Sequence, residues 1–332
     1  STCGGGADRN HRRPAWADDV PEDLAAARIG AALAPQAEAQ GLVVTAPFTG
    51  RVNLYALGQG VLRLDAALIG RLNAIDEAVT VATLPAHARV APRQMLATVK
   101  IIPYAASRAA VAAAEAMLAG GAAIQVSPLA RKTASLILTR TPGMAEKLVT
   151  KGAEAVRARV AALGIELVSE RRTAHVTAEL ARAVAEAPGE IVLILTGSAT
   201  SDRNDVGPAA LVAAGGRLTR FGMPVDPGNL LFLGDLAGRP VIGLPGCARS
   251  PKLNGADWVL ERVACGLDPT PEGIAGMAVG GLLKEIPSRP EPRSGGAEAE
   301  RRPVVSALVL AAGQSSRMGG RDKLLEPVAG AP

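Results

Sequence analysis

The chain has 332 residues, about twice the length expected of one domain, and with 48% hydrophobic and 20% charged residues it reads as two or more globular units rather than an unstructured polymer. Aromatics make up only 2%, which argues against base-stacking nucleic-acid modules, and no apolar run approaches a membrane span, so neither nucleic acid nor membrane is expected as a partner. A net charge of +5 suits a phosphorylated small substrate, while the three cysteines, Cys3, Cys247 and Cys265, lack CxxC spacing and point to a reducing cytoplasm without a disulfide framework or zinc site.

Residues 1–20 read as a disordered tail that begins with Ser1 and carries the basic run Arg9–Arg13. From 21 to 105 a helical stretch, "PEDLAAARIGAALAPQAEAQ", leads into short β-like runs, "LVVTAP", "GVLRL", "VTVATL" and "LATVKIIPYA". With one helix, "DAALIGRLNAIDEA", among them, this is expected to be a small α+β unit.

Near residue 106 the pattern changes. A helix from Ser107 to Leu118 is followed by the strand Ser135–Thr141, a helix from Met144 to Leu163, the strand "IELVSE", the helix "TAELARAVAEA" and the apolar strand "EIVLILT". Nearly unbroken Val, Ile and Leu strands alternating with amphipathic helices predict an α/β fold, a parallel or mixed sheet covered on both faces, over 106–285. Ligands of such sheets gather at the carboxyl ends of the strands, so the loops there are the place for a site.

The loop after Thr196, "TGSATSDRNDVGP", has small residues that admit a ligand close to the backbone, and Pro208 suits the first turn of a helix. Downstream, two apolar strands flank "DLAGRP", framed by Pro227-Gly228 and Leu244-Pro245-Gly246, and Ser250 is expected to open a helix through Trp258. If the strands before Thr196 and Leu244 are neighbours, their loops face one pocket.

Three spaced motifs carry a family resemblance. Thr196-Gly197-Ser198-Ala199-Thr200, four residues, then Asp205-Val206-Gly207-Pro208, followed by Pro227-Gly228 and Leu244-Pro245-Gly246, resembles the molybdopterin-binding domain of molybdenum cofactor biosynthesis. The family pattern is Thr-Gly-Gly-Thr-Gly, so Ser198, Ala199 and Thr200 depart from it, as does Cys247 where Asn is usual. The resemblance implies that these loops bind molybdopterin. It also implies that Asp205 organises metal and phosphate; the residues alone equally allow Asp205 to be a helix cap. His175 either faces this pocket or lies at the surface, the latter being the expectation, and Arg249 beside the Leu-Pro-Gly loop is a candidate phosphate partner.

Residues 286–303, rich in Pro, Arg, Glu and Gly, read as a linker. After it, "ALVLAAGQSSRMGGRDKLL" places a glycine turn and two cations after a strand: Leu310, Ala311, Ala312, Gly313, Ser316 and Gly319 can lie along nucleotide phosphates, with Arg317 and Lys323 neutralising a departing pyrophosphate. This resembles the start of a Rossmann-like nucleotidyltransferase of the molybdenum-cofactor type, whose Mg²⁺ carboxylates lie downstream; residues 304–332 are expected to be the first part of a domain continuing past Pro332. Together the resemblances imply transfer of a nucleotidyl group from a nucleoside triphosphate to the pterin phosphate, with CTP favoured over GTP by Ala312. They also imply self-association and a molybdoenzyme or chaperone as recipient. Two other readings stay open: a non-catalytic molybdopterin carrier, and a sugar-nucleotide pyrophosphorylase with an unrelated N-terminal regulator.

Overall fold

A computed structural model describes residues 19–283. The expected tail up to residue 18, the linker 286–303 and the nucleotidyltransferase-like segment with Leu310, Ala311, Ala312, Gly313, Ser316, Arg317, Gly319 and Lys323 lie outside the described residues.

Strand β1 (Asp19–Pro21) leads into helix α1 (Glu22–Leu33), whose Ala25, Ala26, Ile29 and Leu33 are buried along one side. There follow β2 (Leu42–Val44), β3 (Arg51–Ala56), β4 (Gly60–Leu64), α2 (Ala66–Asn73), β5 (Val79–Thr83), β6 (Arg89–Val90), β7 (Met95–Ile101), β8 (Ala105–Ser107), α3 (Arg108–Leu118) and β9 (Ile124–Pro128). They form an antiparallel sheet ordered β2-β3-β7-β5, a second ordered β6-β4-β9, and a β1-β8 ribbon.

The boundary expected at 105/106 is corrected by this packing. Val111, Ala114 and Leu118 of α3 and Ile124 and Val126 of β9 share one core with Ile29, Val52 and Val99, and β9 pairs with β4, Leu64 opposite Ile124. The α+β unit therefore runs through Pro128. Helical periodicity in α3 cannot reveal which core its apolar face meets, and only the antiparallel pairing of β9 decides it.

The second unit comprises β10 (Thr133–Arg140), α4 (Glu146–Ala162), β11 (Glu166–Ala174), α5 (Thr177–Glu186), β12 (Ile191–Leu195), α6 (Val206–Ala213), β13 (Arg217–Phe221), β14 (Phe232–Leu236), β15 (Arg239–Leu244), α7 (Gly255–Ala264) and α8 (Pro271–Ala275). Its sheet is ordered β11-β10-β12-β15-β14-β13, with β11, β10, β12 and β15 parallel and β14 antiparallel to both of its neighbours, β15 and β13. Val149, Val156 and Val160 of α4 and Val259, Leu260 and Val263 of α7 pack with Leu136, Leu193 and Ile242 on one face. Leu180, Val184, Ala210 and Leu211 of α5 and α6 pack with Ile137, Val192 and Val241 on the other. The result is a three-layer mixed α/β fold. Every residue of β12 is buried, which is why that strand reads as an unbroken apolar run.

The last long helix starts later than expected. Gly246–Arg249 is a 3-10 turn, and α7 begins at Gly255 because Asn254 builds a capping box: Asn254 Oδ1 accepts from the Ala256 amide at 2.9 Å and Asp257 Oδ2 accepts from the Asn254 amide at 2.8 Å. Trp258 packs half-buried against the core.

Candidate functional site

The parallel strands deliver their carboxyl ends to one edge. β10 is flanked by β11 and β12, so the chain reverses its direction of travel across the sheet between β10 and β12, the kind of switch point at which ligands of open α/β sheets bind. Thr139 is the penultimate residue of β10, His175 follows β11, Thr196 follows β12, and Gly246 lies two residues past β15, whose Leu244 is in register with Leu195. The two loops expected to face one pocket are thus neighbours.

Across this switch point the Gly197 amide donates to Thr139 Oγ1 at 2.7 Å. Only glycine fits there: a Cβ on Gly197 would lie 2.9 Å from the Thr139 carbonyl oxygen and 3.0 Å from the Thr141 nitrogen. Thr139 Oγ1 also lies 2.8 Å from His175 Nδ1, and His175 Nε2 lies 2.8 Å from Ser198 Oγ. Thr139 is buried, with the Gly197 amide already donating to its oxygen, so its own hydrogen goes to Nδ1. On that assignment the imidazole proton is on Nε2 and is donated to Ser198 Oγ, which leaves the exposed Ser198 hydroxyl hydrogen for a ligand. Burial holds the His175 pKa below its ordinary value, with the Asp205 charge pulling the other way, so the ring is neutral at pH 7.

His175 was expected at the surface. It instead joins the loop, because β11 extends to Ala174, beyond the run read from sequence, and carries the ring to the end of β10.

The departures from the family motif have a local explanation. Thr196 Oγ1 donates to the Ser198 carbonyl at 2.8 Å, and Thr200 Oγ1 lies 3.2 Å from Thr196 Oγ1. Thr200 is buried beneath the loop, where its hydroxyl ties the turn from within, while Ser198 and Ala199 are exposed. The amides of Ser198, Ala199 and Thr200 donate to no acceptor among the described residues, which leaves a run of backbone donors open at the strand end.

Asp205 stands at the N-cap position of α6, but its side chain makes no cap bond. Its Oδ2 accepts from the amides of Ser201 at 2.6 Å and Asp202 at 2.9 Å, so the helix-cap reading is corrected: the carboxylate closes the preceding loop. Arg249 likewise turns inward. Its guanidinium donates to the Thr196 and Gly246 carbonyls, tying the two neighbouring loops together, and burial lowers its pKa.

Leu244 and Pro245 are buried and Gly246 is exposed, so only the end of the Leu-Pro-Gly loop meets solvent beside Ser198. Pro227-Gly228 reaches the same end of the sheet through β14 but packs on α7: the Pro227 carbonyl accepts from the Gly255 amide at 2.8 Å, and a Cβ on Gly228 would lie 2.6 Å from that nitrogen. The Asp226–Pro227 bond is cis. Arg159 anchors the whole segment after Gly246. It is ion-paired with Asp257 at 2.7 Å and donates to the carbonyls of Ala248 at 2.6 Å, Ser250 and Lys252. A cleft of about 270 Å³ lined by Arg89, Arg159, Asp257 and Glu261 contains none of the loop residues 196–200.

Among the described residues no three His, Cys, Asp or Glu side chains converge to hold a metal. The described residues therefore offer no three-ligand seat for Mg²⁺. No helix among them is long and apolar enough to cross a membrane.

No family model matches the chain. No curated protein matches it. Among solved structures it is similar to the molybdopterin biosynthesis moea protein from Pyrococcus horikosii, with 15% identity over 64% of this chain and 69% of that one and a TM-score of 0.31. It is also similar to molybdenum cofactor biosynthesis protein B, with 14% identity over 40% of this chain and 87% of that one and a TM-score of 0.27.

Proposed function

We propose that the chain acts in molybdenum cofactor biosynthesis and binds molybdopterin by its terminal phosphate at the loop Thr196–Asp205. The observation that carries this reading is the run of amides at Ser198, Ala199 and Thr200 that have no acceptor among the described residues, set where β10 and β12 meet and beside Ser198 Oγ, 2.8 Å from His175 Nε2. Backbone N–H groups and a hydroxyl are the donors a phosphate takes, and the glycine at 197 lets the loop close against Thr139 and Thr141 of the neighbouring strand end. Thr196 and Thr200 shape the turn, Asp205 holds its far side, and Gly246 bounds it from β15.

In the full reaction the pterin phosphate oxygen attacks the α-phosphorus of a nucleoside triphosphate, CTP in preference to GTP, forming one P–O bond as the bond to pyrophosphate breaks. The loop described here holds and orients the attacking phosphate, and the segment with Gly313, Arg317 and Lys323 belongs to the nucleotide side. Mg²⁺ would belong with that nucleotide segment and would supply charge neutralisation there. The second reading is a carrier that binds molybdopterin without catalysis. It is favoured by Asp205, whose Oδ2 is taken up by two loop amides and is not free to act on a ligand.

The test is purification of the chain followed by oxidative release and fluorescence detection of pterin, then incubation with molybdopterin and CTP or GTP. Pterin on the wild-type protein that is missing from Ala199→Trp supports the site. Pyrophosphate released with CTP supports the transferase over the carrier. A protein free of pterin, unable to take it up when supplied, overturns both.

A further inference from the structure

Far from the loop in sequence, three nitrogen-rich side chains line one cleft of about 510 Å³: Arg63 on β4, His87 in the turn before β6, and Arg262 on α7. A neighbouring cleft of about 350 Å³ shares Arg63 and His87. Among the described residues none of the three has a side-chain hydrogen bond or ion pair, and Arg262 Nε is buried with no partner at all. A buried guanidinium N–H without an acceptor is costly and calls for an explanation.

Local carboxylates do not supply one. Asp268 lines the larger cleft but is held by Arg131 in a two-pronged pair, 2.7 Å at each oxygen. Asp65, on the wall of the smaller cleft, accepts from the Leu68 amide at the start of α2. Glu261 precedes Arg262 on α7 and attracts it, yet makes no hydrogen bond to it. The cleft is thus left with uncompensated positive charge, with room for a ligand of small-molecule size.

His87 registers this charge. Its pKa is lowered by burial first and then by the charges of Arg262 and Arg63, so the imidazole is kept neutral with a nitrogen free for an acidic partner.

We infer that Arg63, His87 and Arg262 form a second binding site, separate from the Thr196 loop, for the phosphate group of a small molecule. Two guanidinium groups and an imidazole offer donors in several directions to one multi-oxygen anion, a geometry that a phosphate fills and a single carboxylate does not. The site joins the α+β unit, through β4 and the His87 turn, to α7 of the α/β unit, so occupancy would brace one against the other.

The chain has three histidines, so His87 can be followed by proton NMR, with His87→Gln assigning its resonance. Inorganic phosphate and AMP are titrated separately to distinguish the free ion from an ester. Either one saturably raising the His87 titration midpoint by about one pH unit or more supports the site, since a nearby anion favours the charged imidazole. Arg63→Ala, an exposed position, should raise the midpoint without ligand, because a like charge is gone, and weaken the response to ligand about tenfold. A His87 midpoint that neither phosphate nor AMP moves, in a protein whose His175 resonance keeps its folded position, overturns the inference.

Discussion

His175 Nε2 sits 2.8 Å from Ser198 Oγ, and through Nδ1 the same ring reaches the Thr139 hydroxyl that receives the Gly197 amide. One imidazole therefore couples the ends of β10, β11 and β12, fixing where the Ser198 proton points. If Ser198 and His175 act as a unit, Ser198→Ala and His175→Ala should each weaken molybdopterin binding about tenfold, and the double variant should lose little more. Losses that add in full would mean that the ring does not work through Ser198.

Gly197 and Gly243 test the packing beneath the site. A Cβ on Gly197 collides with the backbone of Thr139 and Thr141, and one on Gly243 would lie 1.9 Å from the Phe232 ring. Gly197→Ala should part the β10–β12 loops and cost about 1–3 kcal/mol with loss of binding, and Gly243→Ala should cost at least as much. Chemical denaturation reads both, and a Gly197→Ala protein of unchanged midpoint would show the switch point to be looser than described.

Much of this was readable in the residues. The apolar strands at 135–141 and 190–196 and the helices between them announce the α/β layers, and the small residues at 197–199 mark the turn that follows β12. His175 was not readable as part of the site, because its role depends on β11 lying beside β10, and spacing along the chain carries no trace of that. Asp205 stayed open between a ligand-organising carboxylate and a helix cap for a related reason: the N-cap position suggests a cap bond, and only the folded 201–205 turn brings two amides to its carboxylate. Arg159 gave no signal at all, since one arginine in an amphipathic helix looks like a solvated residue until the carbonyls of 248–252 gather around it.

Arg159 leads to a stability prediction. The Arg159–Asp257 pair is largely buried, and removal of the arginine strands Asp257 and several carbonyls. Arg159→Ala should cost about 3–5 kcal/mol, and Arg159→Lys should recover only part of it, because an ammonium cannot span Asp257 and the turn together. A loss below about 1 kcal/mol in urea unfolding would contradict the anchoring role.

Stability should respond to pH with two opposing signs. Burial raises the Glu261 pKa from 4.5 to about 7, so the folded state binds the extra proton between those values and stability falls as pH rises through that window. Glu261→Gln should remove that fall, worth up to about 3 kcal/mol. His87 and His175, both lowered, act oppositely: the unfolded state binds more protons below about 6.5, and their contribution is lost as pH drops. Urea midpoints from pH 5 to 8 for wild type, Glu261→Gln and His87→Gln separate the two, and a Glu261→Gln profile parallel to wild type would contradict the burial of that carboxyl.

The central claim is that the open amides and hydroxyl of the Thr196–Asp205 loop bind the phosphate of molybdopterin. Calorimetric titration of the whole chain with molybdopterin, beside Ser198→Ala and Ala199→Trp, measures it directly. Saturable binding by wild type, weakened about tenfold by Ser198→Ala and abolished by Ala199→Trp, is the predicted result. Absence of binding by the folded wild-type protein, or binding that neither substitution alters, would contradict it.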